Sequence, residues 1–164
     1  MERLWSPWRS HYVTSSSGDE GCFFCEGLAG DDDEGAGILL RSRNVFVILN
    51  AFPYNSGHLM VAPQRHVGET SELSDDERHE LMDVTLASVE IAREAMRPHG
   101  FNLGMNLGQI AGAGVPGHLH MHVVPRWGGD TNFMPVVGET KVMSELIADT
   151  GAKLRPGFAA LAQS

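Results

Sequence analysis

The 164-residue sequence predicts an α+β domain: an antiparallel sheet of about five strands with one long helix packed on it and a short C-terminal helix. Three observations carry this. Two short runs rich in β-branched and apolar residues flank a set of turn formers; a long stretch then repeats its apolar residues at helical spacing; two later segments alternate with period two. The resulting order of strand, strand, helix, strand, strand lets a helix cover one face of an antiparallel sheet.

At this length one core is expected, divided into an N-terminal arm (residues 1–36), a core (37–135) and a C-terminal extension (136–164). In the arm, Ser15-Ser16-Ser17-Gly18 and the acidic run Asp31-Asp32-Asp33-Glu34 read as loops bracketing Cys22-Phe23-Phe24-Cys25. Residues 44–50 (NVFVILN) and 58–63 (HLMVAP) form a hairpin, because Pro53, Asn55 and Gly57 in the connection are turn formers. Ser74 with Glu77 three residues on is a capping box. Leu81, Val84, Ala87, Ser88, Ile91, Ala92 and Ala95 then recur on one helical face until Pro98 and Gly100 stop the run. Residues 101–107 (FNLGMNL) read as a strand, residues 108–117 (GQIAGAGVPG) as a glycine-rich loop, and the segment from His118 as a further strand. After Arg126 the signal weakens to a loop and a helix over residues 143–154.

Composition excludes several functions. The net charge of −9 repels nucleic acid polymers, although a local basic site can still hold a small phosphorylated ligand. No stretch approaches the roughly 18 apolar residues of a membrane span, so no membrane partner is expected. The opening MERLWSPWRSHYV lacks the apolar segment of a secretory signal, and a cytoplasmic location is the expectation. Two cysteines cannot build a disulfide framework; spaced as Cys-x-x-Cys they point to a metal half-site or a redox pair.

The segment HLHMHVVPRW holds the chemistry. On a strand, His118, His120 and His122 line one face while Leu119, Met121 and Val123 enter the core; a helix would scatter them. The imidazoles then stand about 6.5–7 Å apart beside a loop whose backbone N–H groups can meet an anion, which describes a phosphate site with nucleophiles. Two alternatives are a surface strand with chance histidines and a catalytic zinc held by all three. Against the second, successive same-face positions on a flat strand do not readily converge within about 2.1 Å of one ion. His11, His79 and His99 read as partly exposed surface histidines.

His118-Leu-His120-Met-His122-Val-Val resembles the signature of the histidine triad superfamily of nucleotide hydrolases and transferases, from about Cys22 to Phe133. Asn50, Gly57-His58 and Asn106 also match. The stretch after the triad, with LWSPWR, looks most like the diadenosine tetraphosphate phosphorylase branch. The resemblance implies cleavage of dinucleoside polyphosphates through a covalent nucleotidyl-His120, with His122 stabilising the phosphate oxygens and His118 completing the triad. It implies that Asn50 holds the ribose, that Asn106 contacts phosphate or leaving group, and that Phe24, Ile48 and Phe52 sandwich the base; His58 then reads either as a residue behind the site that supports it or as one on its phosphate side. Many hydrolases of the superfamily carry Gln then Ser or Thr before the triad. This chain has Gly114-Val115 there, so Gly114 stands in the phosphate-contacting position without a side chain. The alternative functions are a purine mononucleotide-binding regulatory module and a nucleoside phosphoramidase. The partner implied beyond the nucleotide is a second copy of the chain in a homodimer.

Cys22 and Cys25, with His66 and His118 as nitrogen donors, can supply the four tetrahedral ligands of a structural zinc. This is similar to the related galactose-1-phosphate uridylyltransferases. Reduced unligated thiols or a redox pair are the alternatives, although the strand–helix context of a redox motif is missing.

Overall fold

A computed structural model describes residues 21–132, 134–137 and 142–163. The segment LWSPWR, the Ser15–Gly18 loop, His11 and Phe133 lie outside the described residues. Two short helices, α1 (Phe23–Ala29) and α2 (Asp33–Ala36), lead into strands β1 (Ile38–Arg41), β2 (Val45–Leu49) and β3 (Leu59–Pro63). The long helix α3 (Asp75–Met96) follows, then β4 (Gly100–Met105), β5 (Met121–Arg126), a single turn α4 (Met134–Val137) and α5 (Ile147–Leu161). The five strands pair antiparallel in the order β1-β2-β3-β5-β4.

Each face of the sheet is closed by different elements. Period-two alternation sends Val45, Val47, Leu49, Leu59, Val61, Leu119 and Val123 to one side, where they pack with Leu81, Val84, Val89 and Ala92 of α3 and Leu154 and Phe158 of α5. On the other side Phe46, Ile48, Met60 and Ala62 pack with Phe24 and Ile38 under the N-terminal arm. The Ser74–Glu77 capping box is formed, and α3 ends at Met96, where Arg97 turns left-handed before Pro98. Ser88 lies buried in the apolar stripe, its hydroxyl donating to the Val84 carbonyl at 2.7 Å. Ala95, placed in that stripe by its spacing, is exposed; Thr85 and Val89 widen the buried face instead.

Four sequence expectations are corrected. The acidic run is not a simple loop: Asp32 caps α2 by accepting the Gly35 N–H at 2.8 Å, and Asp33 receives Arg41, whose guanidinium also donates to the Leu28 carbonyl. That fork ties β1 to both arm helices. Second, β1 is a strand of its own, four residues being too short to declare a period. Third, the final helix spans Ile147–Leu161 rather than residues 143–154, running through Pro156 because Leu154 and Phe158, four apart, are both buried in the core. Gly157 permits this docking, since a Cβ there would meet Ile91 at 2.6 Å. Fourth, only His122 of the three histidines belongs to the ladder. Pro63 ends β3 without an N–H to donate, so His118 and His120 lie on the run into β5, joined to the chain at Val67 by the Leu119 N–H.

Candidate active site

The run into β5 keeps the alternation that the sequence predicts. Leu119 and Val123 are buried in the cluster under α3, while the rings of His120 and His122 stand edge to face at 4.8 Å. All three triad residues are buried, so their hydrogen bonds decide which nitrogen keeps its lone pair. His120 Nδ1 lies 2.8 Å from the His118 carbonyl oxygen. A carbonyl only accepts, so Nδ1 carries the proton and Nε2 carries the lone pair. Burial holds His120 below the ordinary imidazole pKa, against the opposing pull of that carbonyl, and it is neutral at pH 7.

His122 has the opposite tautomer. The Tyr54 backbone N–H, which only donates, points at His58 Nδ1 at 2.9 Å, so a neutral His58 carries its proton on Nε2. That Nε2–H reaches His122 Nδ1 at 2.9 Å and leaves His122 with its proton on Nε2; the Asn106 Nδ2, 3.4 Å away, is also a donor and turns to the Gly112 carbonyl instead, so the two N–H groups stand side by side without bonding each other. His58 is buried among these partners. The Tyr54 ring stacks at 4.6 Å on His58 and 5.6 Å from His122. Gly57 makes the turn into His58 with φ of 76°, where a Cβ would strike Met96.

His118 faces away from this chemistry. Its Nε2 donates to the Pro63 carbonyl at 2.8 Å, so its Nδ1 lone pair points at Cys22 Sγ, 3.3 Å away, and Cys25 Sγ, 3.6 Å away. His66 Nδ1 lies 3.4 Å from Cys25 Sγ, and the four donor atoms all lie within 4.8 Å of one another. Metal–ligand bonds of about 2.0–2.3 Å require tetrahedral edges of about 3.3–3.8 Å, so the thiol–imidazole spacings match a four-coordinate metal. Burial and the neighbouring Cys22 sulfur push the Cys25 thiol up to about 11, because two adjacent thiolates need a cation between them. The four residues named from the sequence for zinc therefore converge.

The expected nucleotide contacts divide. Asn50 borders the site, its Oδ1 accepting the Phe52 N–H at 2.9 Å and its Nδ2 lying 3.3 Å from His58. Asn106 is half-buried against His122. Phe52, 67% exposed, is the only expected base-sandwiching residue that offers surface; Phe24 and Ile48 are enclosed at 1% and 0%. They form the floor rather than open walls, because the second apolar cluster needs both, and Phe24 underlies His118 and His120 at 4.9 and 5.0 Å. Gly114 lies half-buried in the preceding loop, where the carbonyl of its neighbour Val115 accepts the His118 N–H. His79 is exposed, and His99, also exposed, accepts the Gly128 N–H.

Sequence reasoning missed Tyr54 and the clamp around Asp130. This carboxylate takes Arg126 through Nε at 2.7 Å and Nη2 at 3.0 Å, the Asn55 amide at 2.7 Å and the Trp127 N–H. The clamp fastens the loop bearing Tyr54 and His58 to the end of β5. Only the four-residue spacing of Arg126 and Asp130 hinted at it.

The profile of the HIT domain matches residues 34–129. Over 158 residues the chain is 43% identical to the AP-4-A phosphorylase of Mycobacterium tuberculosis (strain ATCC 25618 / H37Rv), covering 92% of this chain and 80% of that one. It is 31% identical over 120 residues to a HIT-like protein of Methanocaldococcus jannaschii, covering 73% and 89%. The crystal structure of a zinc-bound histidine triad family protein from Mycobacterium smegmatis superposes with a TM-score of 0.70 at 26% identity, covering 89% of this chain and 99% of the other.

Proposed function

Because the chain belongs to the HIT domain family, we propose that it cleaves dinucleoside polyphosphates of the diadenosine tetraphosphate kind through a nucleotidyl group carried on His120. His120 Nε2 attacks the α-phosphorus; the Nε2–P bond forms, and the bridging P–O bond breaks with its electron pair leaving on the departing nucleotide. One difficult displacement becomes two easier ones. His122 Nε2–H donates to the non-bridging oxygens where negative charge grows, with Asn106 beside it. Asn50 holds the ribose and Phe52 lies against the base.

Inorganic phosphate then attacks the same phosphorus and frees His120, releasing a nucleoside diphosphate. The likeness to a phosphorylase over 92% of the chain supports phosphate as acceptor, and Gly114-Val115, lacking the Gln-Ser or Gln-Thr pair, agrees with it. The observation that carries the reading is the 2.8 Å bond from His120 Nδ1 to the His118 carbonyl, which reserves Nε2 for attack. Diadenosine tetraphosphate incubated with phosphate should yield ATP and ADP; without phosphate any slow product is AMP with ATP. His120→Ala should lower turnover by about 10³-fold or more. Cleavage by that variant at the wild-type rate would sink the mechanism, and AMP formed in the presence of phosphate would replace phosphorolysis by hydrolysis.

Zinc is the metal that two thiolates and two imidazoles favour, so Cys22, Cys25, His66 and His118 would hold it as a structural link between the arm and the triad segment. A cytoplasmic setting, where thiols stay reduced, suits that pair. The partner is a second copy: β4 is one of the two edge strands, and Leu103 on it and Met82 and Leu86 on α3 are about half exposed. Light scattering should return about twice 17.8 kDa, and a monomer at micromolar concentration would exclude the dimer.

A further inference from the structure

The triad face of β5 does not end at His122. Val124 and Arg126 follow at period two on the same face, opposite Gly104, Asn102 and Gly100 of β4 through the register His122↔Gly104, Val124↔Asn102 and Arg126↔Gly100. Beyond the histidines this face opens into a cavity of about 250 Å³ lined by Tyr54, Asn55, Asn102, Val124, Arg126, Asp130 and Thr131. Tyr54 is shared between the two places, since its ring also lies 5.6 Å from that of His122. Gly104, directly across from His122, carries no side chain, and nothing lies within 4 Å of where its Cβ would stand. Beside His122 the sheet surface is therefore low among the described residues. Arg126 stands four positions beyond His122 along the strand, about 13 Å.

The lining offers donors. Asp130 is saturated by Arg126, Asn55, Trp127 and the Thr131 hydroxyl, so its charge is spent within the wall. A guanidinium has five N–H groups. Arg126 gives Nε and one Nη2 proton to Asp130 and one Nη1 proton to Asn102 Oδ1 at 2.8 Å; two remain on a side chain 45% exposed. In a chain of net charge −9 this is a cation on the same strand face as His122. The volume falls just below the roughly 300–1,000 Å³ of ligand clefts for drug-sized molecules, which suits one nucleoside moiety and excludes two.

We propose that this cavity is the subsite for the departing half of the substrate: Arg126 meets its phosphates, and Tyr54, Asn102 and Thr131 enclose the distal nucleoside. The assignment rests on the nucleotidyl-His120 reading and adds what selects a dinucleoside polyphosphate over a mononucleotide with the same phosphate chain. No new bond is made there; the subsite binds the group that carries away the electron pair of the broken P–O bond.

The experiment compares diadenosine tetraphosphate with adenosine 5′-tetraphosphate, which keeps the reacting phosphorus and all four phosphates but lacks the distal nucleoside. For the wild type, kcat/KM should favour the dinucleotide at least tenfold. Asn102→Trp and Thr131→Trp, filling the cavity from opposite walls, should each lower that ratio at least fivefold, and the ratio itself controls for loss of folded protein. Equal use of both substrates by the wild type, or a wild-type ratio in both variants, overturns the subsite and leaves the His120 chemistry intact. If neither substrate is cleaved through His120, the underlying reading falls instead.

Discussion

The two ends of the triad segment, His118 and His122, are four residues apart on one alternating stretch, both buried imidazoles, yet they are set for opposite work. At the His118 end, a carbonyl takes the Nε2 proton and turns the Nδ1 lone pair toward two sulfurs. At the His122 end, a chain of donors from the Tyr54 backbone through His58 fills Nδ1 and leaves a proton on Nε2. Identical side chains thus offer a lone pair toward two sulfurs at one end and a proton at the other, because a different neighbour claims one nitrogen of each. His120 stands between them, joined to the metal-side residue through its carbonyl and to His122 by ring contact.

Breaking the His118 end should have the largest effect, and on stability. Cys22→Ser should abolish stoichiometric zinc in metal analysis and lower Tm by roughly 10 °C or more, since a structural zinc contributes several kcal/mol and each kcal/mol shifts Tm by about 2–4 °C at this size. Equal zinc content and Tm in the two proteins would show that the cluster is four reduced side chains without a metal.

Breaking the His122 end should act on turnover. His58→Ala removes the donor that fixes the His122 tautomer, and kcat should fall about 100-fold with KM changed less than threefold and Tm within a few degrees of wild type. A loss confined to KM would assign His58 to substrate binding, and the contrast between the two ends would weaken.

The smallest effect sharpens the comparison from outside it. Glu77 closes the α3 capping box and pairs at 2.7 Å with Arg65, the residue before His66, and its carboxyl is lowered from 4.5 to about 2, the Arg65 hydrogen bond being the largest cause. A lowered carboxylate stabilises the fold above its unfolded pKa and loses that contribution as pH falls toward its folded pKa. Glu77→Gln should therefore cost about 1–2 kcal/mol at pH 7, toward the lower end because Arg65 is 57% exposed and screened. The gap from wild type should close between pH 4.5 and 2 in denaturant titrations, with kcat unaffected. A gap independent of pH would remove the charge from the explanation.

Sequence reading and structure diverge for a physical reason visible residue by residue. Alternation and helical spacing are local, so residues 44–50, 58–63, the capped helix from Ser74 and the shared face of the triad could be read from the chain itself. The clustered thiols and imidazoles were legible as residue types, since Cys22, Cys25, His66 and His118 carry metal-binding chemistry wherever the fold puts them. Phe24 and Ile48 could not be placed by type: an apolar residue near a nucleotide site is a wall or a floor depending on what packs over it. Tyr54 acts through its backbone N–H and its ring on His58, and nothing in its neighbours along the chain announces either contact.

By itself the sequence determined which side of the chain faces the core, where the long helix starts and stops, and that three imidazoles share one side, because covalent periodicity sets these within a few residues. Only the tertiary structure decided which imidazole nitrogen each one offers. That depends on the Pro63 carbonyl, the Tyr54 N–H and two cysteines brought up from 93 or more residues away, and a proton's position is settled by whichever donor or acceptor the fold places against it.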